Sequence, residues 1–202
     1  MDAANDAYYR RTSAGRSDYW RKMAAPRLRA RRLLSELARE DVRSVVDLGC
    51  GGGELLAEVA AWRPGLRLCG VDASAAQLAE NRRRHPGRDW LEADLDRPVD
   101  LPPALQDAFD AVIASEVLEH VERPSELLAN ALRLARPGGR LLLSTQSGPV
   151  GETERAVGHR RHFSAGEARE LLARAGWKPL RVWNEGFPFH DLSKRLANLR
   201  PE

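Results

Sequence analysis

Short apolar runs alternate with longer amphipathic stretches along most of the chain. Ser44 to Leu48 (SVVDL), Leu66 to Val71 (LRLCGV), Asp89 to Ala93 (DWLEA), Asp110 to Ser115 (DAVIAS) and Arg140 to Thr145 (RLLLST) read as strands. Their nearly unbroken apolar character is what a strand buried on both faces requires. Helical patterns lie between them: from a glycine-rich turn to about Trp62, from Ser74 to about Arg84, and from Pro124-Ser125 to about Arg136. Pro137-Gly138-Gly139 then reads as a tight connection into the next strand. Five strands alternating with helices predict an α/β fold, a doubly wound sheet of mainly parallel strands with right-handed crossovers. Ligands of such sheets bind at the carboxyl ends of the strands. Asp47, Asp72, Asp94 and Glu116 all fall at such ends.

Flanking this alternation the pattern loosens. Ser17 or Asp18 is placed to cap a long helix to about Arg39, with Trp20, Met23, Leu28, Leu33, Leu34 and Leu37 interrupted by arginines. After the fifth strand comes a polar segment, Gln146 to Phe163. Ser164 then caps a helix to about Ala175, with Glu167 at the capping-box position. Lys178 to Trp183 reads as a sixth strand, and Leu192, Leu196 and Leu199 as a basic terminal helix. The expected organisation is one domain over residues 1–202: an N-terminal cap region (1–40), a ligand-binding core (41–145) and a substrate-side segment (146–202).

Composition narrows the reading. At 202 residues the chain suits one α/β domain with a full core and is short for two. Its 32 basic residues face 29 acidic ones, so the net charge of +3 gives nucleic acid no support as a partner. Cys50 and Cys69 lack CxxC spacing and read as small core residues of a reducing compartment. The N-terminal residues carry no apolar signal core, and no stretch approaches a membrane span, so a cytoplasmic protein is expected.

The glycine turn adds chemistry. Glycines at 49, 51, 52 and 53 allow positive φ and a close ligand approach to bare main chain, and the helix that follows opens with unpaired N–H groups. Asp47 before it places negative charge where a pyrophosphate would otherwise sit, which disfavours a dinucleotide and favours a cationic ligand. An acidic residue at the end of the second strand, Asp72, can accept from both hydroxyls of a ribose.

Asp47-x-Gly49-x-Gly51-x-Gly53, with Asp72, Asp94, Glu116-Val-Leu-Glu119-His120 and Pro-Gly-Gly in order over residues 44–145, resembles the class I S-adenosylmethionine (SAM)-dependent methyltransferases, whose sheet is Rossmann-like. The resemblance implies SAM as cofactor and S-adenosylhomocysteine as product. It implies cofactor contacts from Asp47, Gly49 and Gly51, from Asp72 and Ala73 at the ribose, from Asp94 and Leu95 at the adenine, and from Ser115 and Glu116. It also implies that the N-terminal leader, through Tyr8, Tyr9 or Trp20, helps close the pocket. A seventh, antiparallel strand usual in that family is not recognisable after Trp183. An NAD fold, the runner-up, would need Gly-x-Gly-x-x-Gly without Asp47.

Methyl transfer from a sulfonium demands in-line positioning and removal of a proton from an oxygen or nitrogen acceptor. His120 and His159 are the candidate bases. Each also has an ordinary structural role open to it, His120 in capping a loop, and His159 or His162 in holding its segment over the sheet. Glu116, Glu119, His120 and His159 together resemble the metal-binding arrangement of ubiquinone-pathway O-methyltransferases and small-RNA 2′-O-methyltransferases, which implies Mg²⁺ or another divalent ion. The expected function is methyl transfer to a small-molecule acceptor at oxygen, the acceptor being free or carried on a lipid or carrier protein. The alternatives are a non-catalytic SAM-binding module and a metal-assisted RNA 2′-O-methyltransferase. The tail, Phe187-Pro188-Phe189 and the basic terminal helix, reads first as core packing, with a homodimer contact or a membrane-surface contact as the alternatives.

Overall fold

The sheet consists of Ser44–Leu48 (β1), Arg67–Asp72 (β2), Asp89–Glu92 (β3), Phe109–Ser115 (β4) and Ala135–Ser144 (β5). All neighbours pair in parallel, in the order β3-β2-β1-β4-β5. This computed structural model describes residues 24–38, 41–182 and 184. Helices Ala24–Leu37 (α1), Glu54–Trp62 (α2), Ala75–Arg84 (α3), Pro124–Leu134 (α4), Glu152–Ala156 (α5) and Ala165–Arg174 (α6), with a 3₁₀ turn at Pro103–Leu105, complete the described elements.

Successive strand residues point to opposite faces, and both faces are covered. Val45, Ala111 and Ile113 pack on one face with Leu33 and Leu37 of α1 and Leu55, Leu56 and Val59 of α2. Val46, Leu48, Val112 and Ala114 pack on the other with Leu127, Leu128 and Ala131 of α4. Burial raises the Cys69 thiol to about 12 and pushes that of Cys50 well up, which fits two unreactive core residues.

Strand order reverses between β1 and β4, so the switch point opens between their carboxyl ends. The amino ends are tied by one carboxylate. Asp110 Oδ2 accepts from the N–H groups of Arg43 (2.7 Å) and Ser44 (2.8 Å) and lies 2.9 Å from the Ser44 hydroxyl, while Oδ1 pairs with Arg136. This knot fixes the β1/β4 register from the end away from the switch point.

Several expectations change. The structure makes Pro137-Gly138-Gly139 part of β5 rather than a link before it. Ala135 already pairs with Phe109, the register then shifts, and Arg140 pairs with Ala111. Gly138 takes φ +77°, and a Cβ at Gly139 would stand 2.9 Å from the Phe109 carbonyl oxygen, so the irregularity needs both glycines. Residues 178–182 of the expected sixth strand are in no strand. Pro179 has no N–H to give a ladder, and Leu180, instead of packing in the core, is 77% exposed. Among the described residues, nothing pairs with the outer edge of β5. Tyr8, Tyr9, Trp20, Trp183 and the terminal leucines lie outside the described residues, as does any start of α1 at Ser17 or Asp18. The Ser164 cap holds: its Oγ accepts the Glu167 N–H at 3.2 Å, and Glu167 accepts the Ser164 N–H at 2.8 Å.

Burial alone would raise the Asp110 pKa, but Arg136 and the donors of Arg43 and Ser44 outweigh it and hold the carboxyl at about 2, below its ordinary 3.8. The depressed value stabilises the fold above the ordinary value and stops doing so as pH falls through about 2. Asp110→Ala is therefore expected to lower unfolding free energy at pH 7 by about 2–3 kcal/mol. In urea titrations the gap to the parent protein should narrow toward the acid limit; a gap that stays constant from pH 7 down to pH 2 would refute the charge assignment.

Candidate active site

The glycine loop leaves β1 with Gly49, Gly51 and Gly53 at φ of +68°, +49° and +76°. These are conformations that a side chain strains. Gly49 lies so close to the segment after β4 that an added Cβ would stand 2.5 Å from Val117 Cγ2. The two loops are thus interlocked across the switch point. A Cβ at Gly51 would meet nothing within 4 Å, so at this position the loop borders open space. That is the cradle an extended ligand needs.

Asp72, at the carboxyl end of β2, is committed to shaping this loop. Its Oδ2 accepts the Gly51 N–H at 2.8 Å and its Oδ1 the Ser74 N–H at 2.9 Å. Burial raises its pKa, while the N–H groups of Ser74, Gly51 and Ala73 pull the other way. The carboxylate keeps acceptor capacity beyond these donors, so the group fits a ribose hydroxyl. Ser74, not Asp72, caps α3, with its Oγ accepting from the Gln77 N–H at 3.4 Å. Asp47 is buried, and its carboxyl is pushed well up by burial first and then by Asp72 and Glu54. A cation nearby would relieve that cost.

Asp94 is held by its own turn, accepting the Asp96 N–H at 3.1 Å, and its side chain stays partly exposed. Leu95 is packed into the core, 7% exposed, so it offers an adenine ring little surface in this conformation. Ser115 Oγ lies 3.1 Å from Ser144 Oγ, joining the ends of β4 and β5.

Glu116 and Glu119 live in opposite environments. Glu116 adopts φ +57°, a left-handed backbone that costs a non-glycine residue about 1–3 kcal/mol. Its carboxylate is well supplied with donors: Ser144 Oγ at 3.2 Å, Gln146 Nε2, and Arg29 Nη2 of α1 at 3.5 Å. Glu119 is fully buried, accepts from Thr145 Oγ1 (2.8 Å) at Oε2, and leaves Oε1 buried with no hydrogen-bond partner among the described residues. Burial, and then the charge of Glu116, raises its pKa to about 8.

Beside Glu119 stand two imidazoles. One candidate ligand atom from each of Glu119, His120 and His159 lies within 4.8 Å of the others. The His120 and His159 rings meet edge to face, with centroids 4.7 Å apart. The segment carrying His159 is pinned there by Arg160, whose N–H donates to the Glu119 carbonyl at 2.8 Å and whose Nε donates to that of His120 at 3.1 Å. Of the four expected metal ligands the structure therefore gathers three. Glu116 is turned instead to Ser144, Gln146 and Arg29 because its left-handed backbone aims it toward the end of β5.

Sequence reasoning missed several residues. Asn81 is fully buried and its Nδ2 donates to the Gly51 carbonyl at 2.7 Å, so it braces the loop from α3. Its three-residue spacing from Leu78, on the buried face of α3, was the available signal. Trp90 lies beneath: added Cβ atoms at Gly70 and Gly53 would meet its ring at 2.5 and 2.9 Å. Ser144, Thr145 and Gln146 follow from the strand-end rule applied to β5. Arg29 carries no such signal.

Comparison with known proteins decides the family. The methyltransferase domain family matches residues 19–182. The chain belongs to the class I SAM-dependent methyltransferases. It is 37% identical to trans-aconitate 2-methyltransferase of Azoarcus sp. over 123 residues, 60% of this chain and 47% of that protein. It is 35% identical to the ubiquinone biosynthesis O-methyltransferase of Hahella chejuensis over 114 residues, 55% and 47% of the two chains. The chain thus spans about half the length of the curated relatives it matches. Among solved structures, the 1,6-didemethyltoxoflavin-N1-methyltransferase of Burkholderia thailandensis, with bound S-adenosylhomocysteine, superposes with a TM-score of 0.64 at 24% identity, covering 85% of this chain and 75% of that one. No described helix of this methyltransferase domain is long and apolar enough to cross a membrane.

Two outcomes test this geometry. Gly49→Ala should destabilise the fold by about 1–3 kcal/mol, through the forbidden φ and the clash. Adding Val117→Ala should recover the clash component only, in a double-mutant cycle of unfolding free energies; full recovery would mean that the backbone conformation costs nothing. Glu119, with a folded pKa of about 8 against 4.5, leaves the folded state holding more protons than the unfolded one between those values, so its contribution weakens as pH rises through that window. Glu119→Gln should remove this slope and gain thermal stability over the parent at pH 8 relative to pH 5. An equal shift at both pH values would count against the raised pKa.

Proposed function

We propose that the domain transfers a methyl group from SAM to a small-molecule acceptor at oxygen, with His120 and His159 as the groups that receive the acceptor's proton. One observation carries the reading: contact between Gly49 and Val117 puts the turn bearing Glu119 and His120 directly against the glycine loop. On this reading Gly49, Gly51 and Asp47 line the methionine end of the cofactor. Asp72 and Ala73 meet the ribose, Asp94 the adenine, and Ser115 and Glu116 the reacting end. Bound SAM would supply an electrophilic methyl on a sulfonium with a neutral thioether as leaving group. The chain's own residues orient the acceptor, exclude water and hold its proton.

Oxygen as the accepting atom is supported by the Hahella chejuensis relative, named for O-methylation in ubiquinone biosynthesis. The similar malonyl-[acyl-carrier protein] O-methyltransferase of Halalkalibacterium halodurans, 30% identical over 111 residues, supports an acceptor presented on a carrier as well as a free one.

A second reading places a divalent ion at Glu119, His120 and His159. The buried Oε1 of Glu119 without a hydrogen-bond partner favours it, since a cation would satisfy that atom. A carboxylate with two imidazoles suits a borderline divalent ion, which would supply Lewis acidity to an acceptor hydroxyl.

Calorimetric titration with S-adenosylhomocysteine and NAD tests the cofactor first. We expect micromolar binding of the former, weakened at least about tenfold by Asp72→Ala, which is on the order of 1.4 kcal/mol. Binding of NAD alone would overturn the reading. With phenolic and carboxylate acceptors, turnover that survives EDTA would dispose of the ion, and binding without turnover on any acceptor would leave a SAM-binding module.

A further inference from the structure

Beyond the two imidazoles lies a third. His162 Nε2 stands 2.9 Å from His159 Nδ1, and His162 Nδ1 stands 3.1 Å from the carbonyl oxygen of Gly148. The rings of His159 and His162 meet edge to face, with centroids 5.1 Å apart. A carbonyl oxygen can only accept, so in neutral His162 the proton is on Nδ1 and Nε2 is the acceptor. The only donor that can complete the 2.9 Å contact is then His159 Nδ1–H. His159 is thereby left with Nε2 as its proton-accepting nitrogen. His120 obeys the same logic independently, its Nδ1 standing 3.2 Å from the Gly158 carbonyl.

We propose that His162 is the positioning residue of His159: anchored by the Gly148 carbonyl, it fixes His159 as the Nδ1–H tautomer and so keeps Nε2 as the nitrogen able to receive a proton beside His120. The catalytic consequence rests on the proposed role of His159; the tautomer does not. An imidazole acts as a base only through the nitrogen that lacks a proton, and which one that is depends on what the other nitrogen bonds. His162 works through His159 and needs no contact with substrate. Its anchor also matters for shape. Gly148 has φ +84°, and the Phe163 N–H donates to the Gln146 carbonyl at 2.9 Å. The segment leaving β5 and the segment bearing the histidines are thus clasped on both sides of His162.

The test is a long-range ¹⁵N–¹H correlation spectrum of the full chain at pH 7.5, which needs no acceptor and no cofactor. We expect His159 to report the Nδ1–H tautomer in the parent protein. His162→Gln, whose amide oxygen can accept in the same place, should retain it. His162→Ala should shift His159 to a mixture or to Nε2–H. An Nε2–H His159 in the parent overturns the proposal, as does an unchanged Nδ1–H signal in a folded His162→Ala. Should the alanine variant not fold, the parent and His162→Gln spectra decide, because loss of the Nδ1–H form in the glutamine variant also refutes it. Once an acceptor is turned over, kcat should fall about 10–100-fold in His162→Ala with KM little changed, and should recover in His162→Gln. A correct tautomer without turnover would refute the role of His159 and leave that of His162 in place.

Discussion

The close approach of Gly49 to Val117 is the constraint on which the site depends. Backbone from one side of the switch point is pressed against a side chain from the other, at a distance that no residue with a Cβ would allow. Because β1 and β4 are adjacent and in fixed register, that contact is set by the sheet itself. The glycine loop and the turn carrying Glu119 and His120 are thereby packed against each other.

Charge is organised around the same contact. Glu116 has three side-chain donors around its carboxylate, one of them from α1, and sits in a strained backbone; Glu119, three residues on, has the Thr145 hydroxyl as its side-chain donor and is sealed from solvent. Two carboxylates close in sequence are thereby placed in different surroundings, one among donors and the other sealed from solvent, and burial raises the pKa of Glu119. The histidines are treated in a third way. His120 and His162 spend Nδ1 on carbonyl oxygens and His159 spends its Nδ1 on His162 Nε2, which settles the direction of each ring before any ligand arrives.

What could be read from the sequence follows from what is local. Strands buried on both faces announce themselves as apolar runs, and the carboxylates at their ends follow from the doubly wound rule; Asp47, Asp72, Asp94 and Glu116 were all legible for that reason. The Ser164 cap was legible because its partner, Glu167, is three residues away. The sixth strand misled because Leu180 and Val182 alternate as a strand would, while Pro179 withholds the N–H that a ladder needs. Contacts across long separations were not legible: Arg29 to Glu116, Thr145 to Glu119, and Gly148 to His162 each depend on where the chain returns, not on a pattern within one stretch. Leu95 shows the reverse, a residue correctly placed in the chain whose side chain the core has already claimed.

The knot around Asp110 has a consequence for how such a domain can diverge. It joins Arg43, Ser44 and Arg136 at the amino ends of the strands, the opposite end from the glycine loop and the histidines. Register is therefore held from the end of the sheet away from the glycine loop. Substitutions, insertions or a change of acceptor in the segments beyond β4 and β5 leave that hold intact, so specificity can drift at one rim of the sheet while the other continues to specify the same architecture.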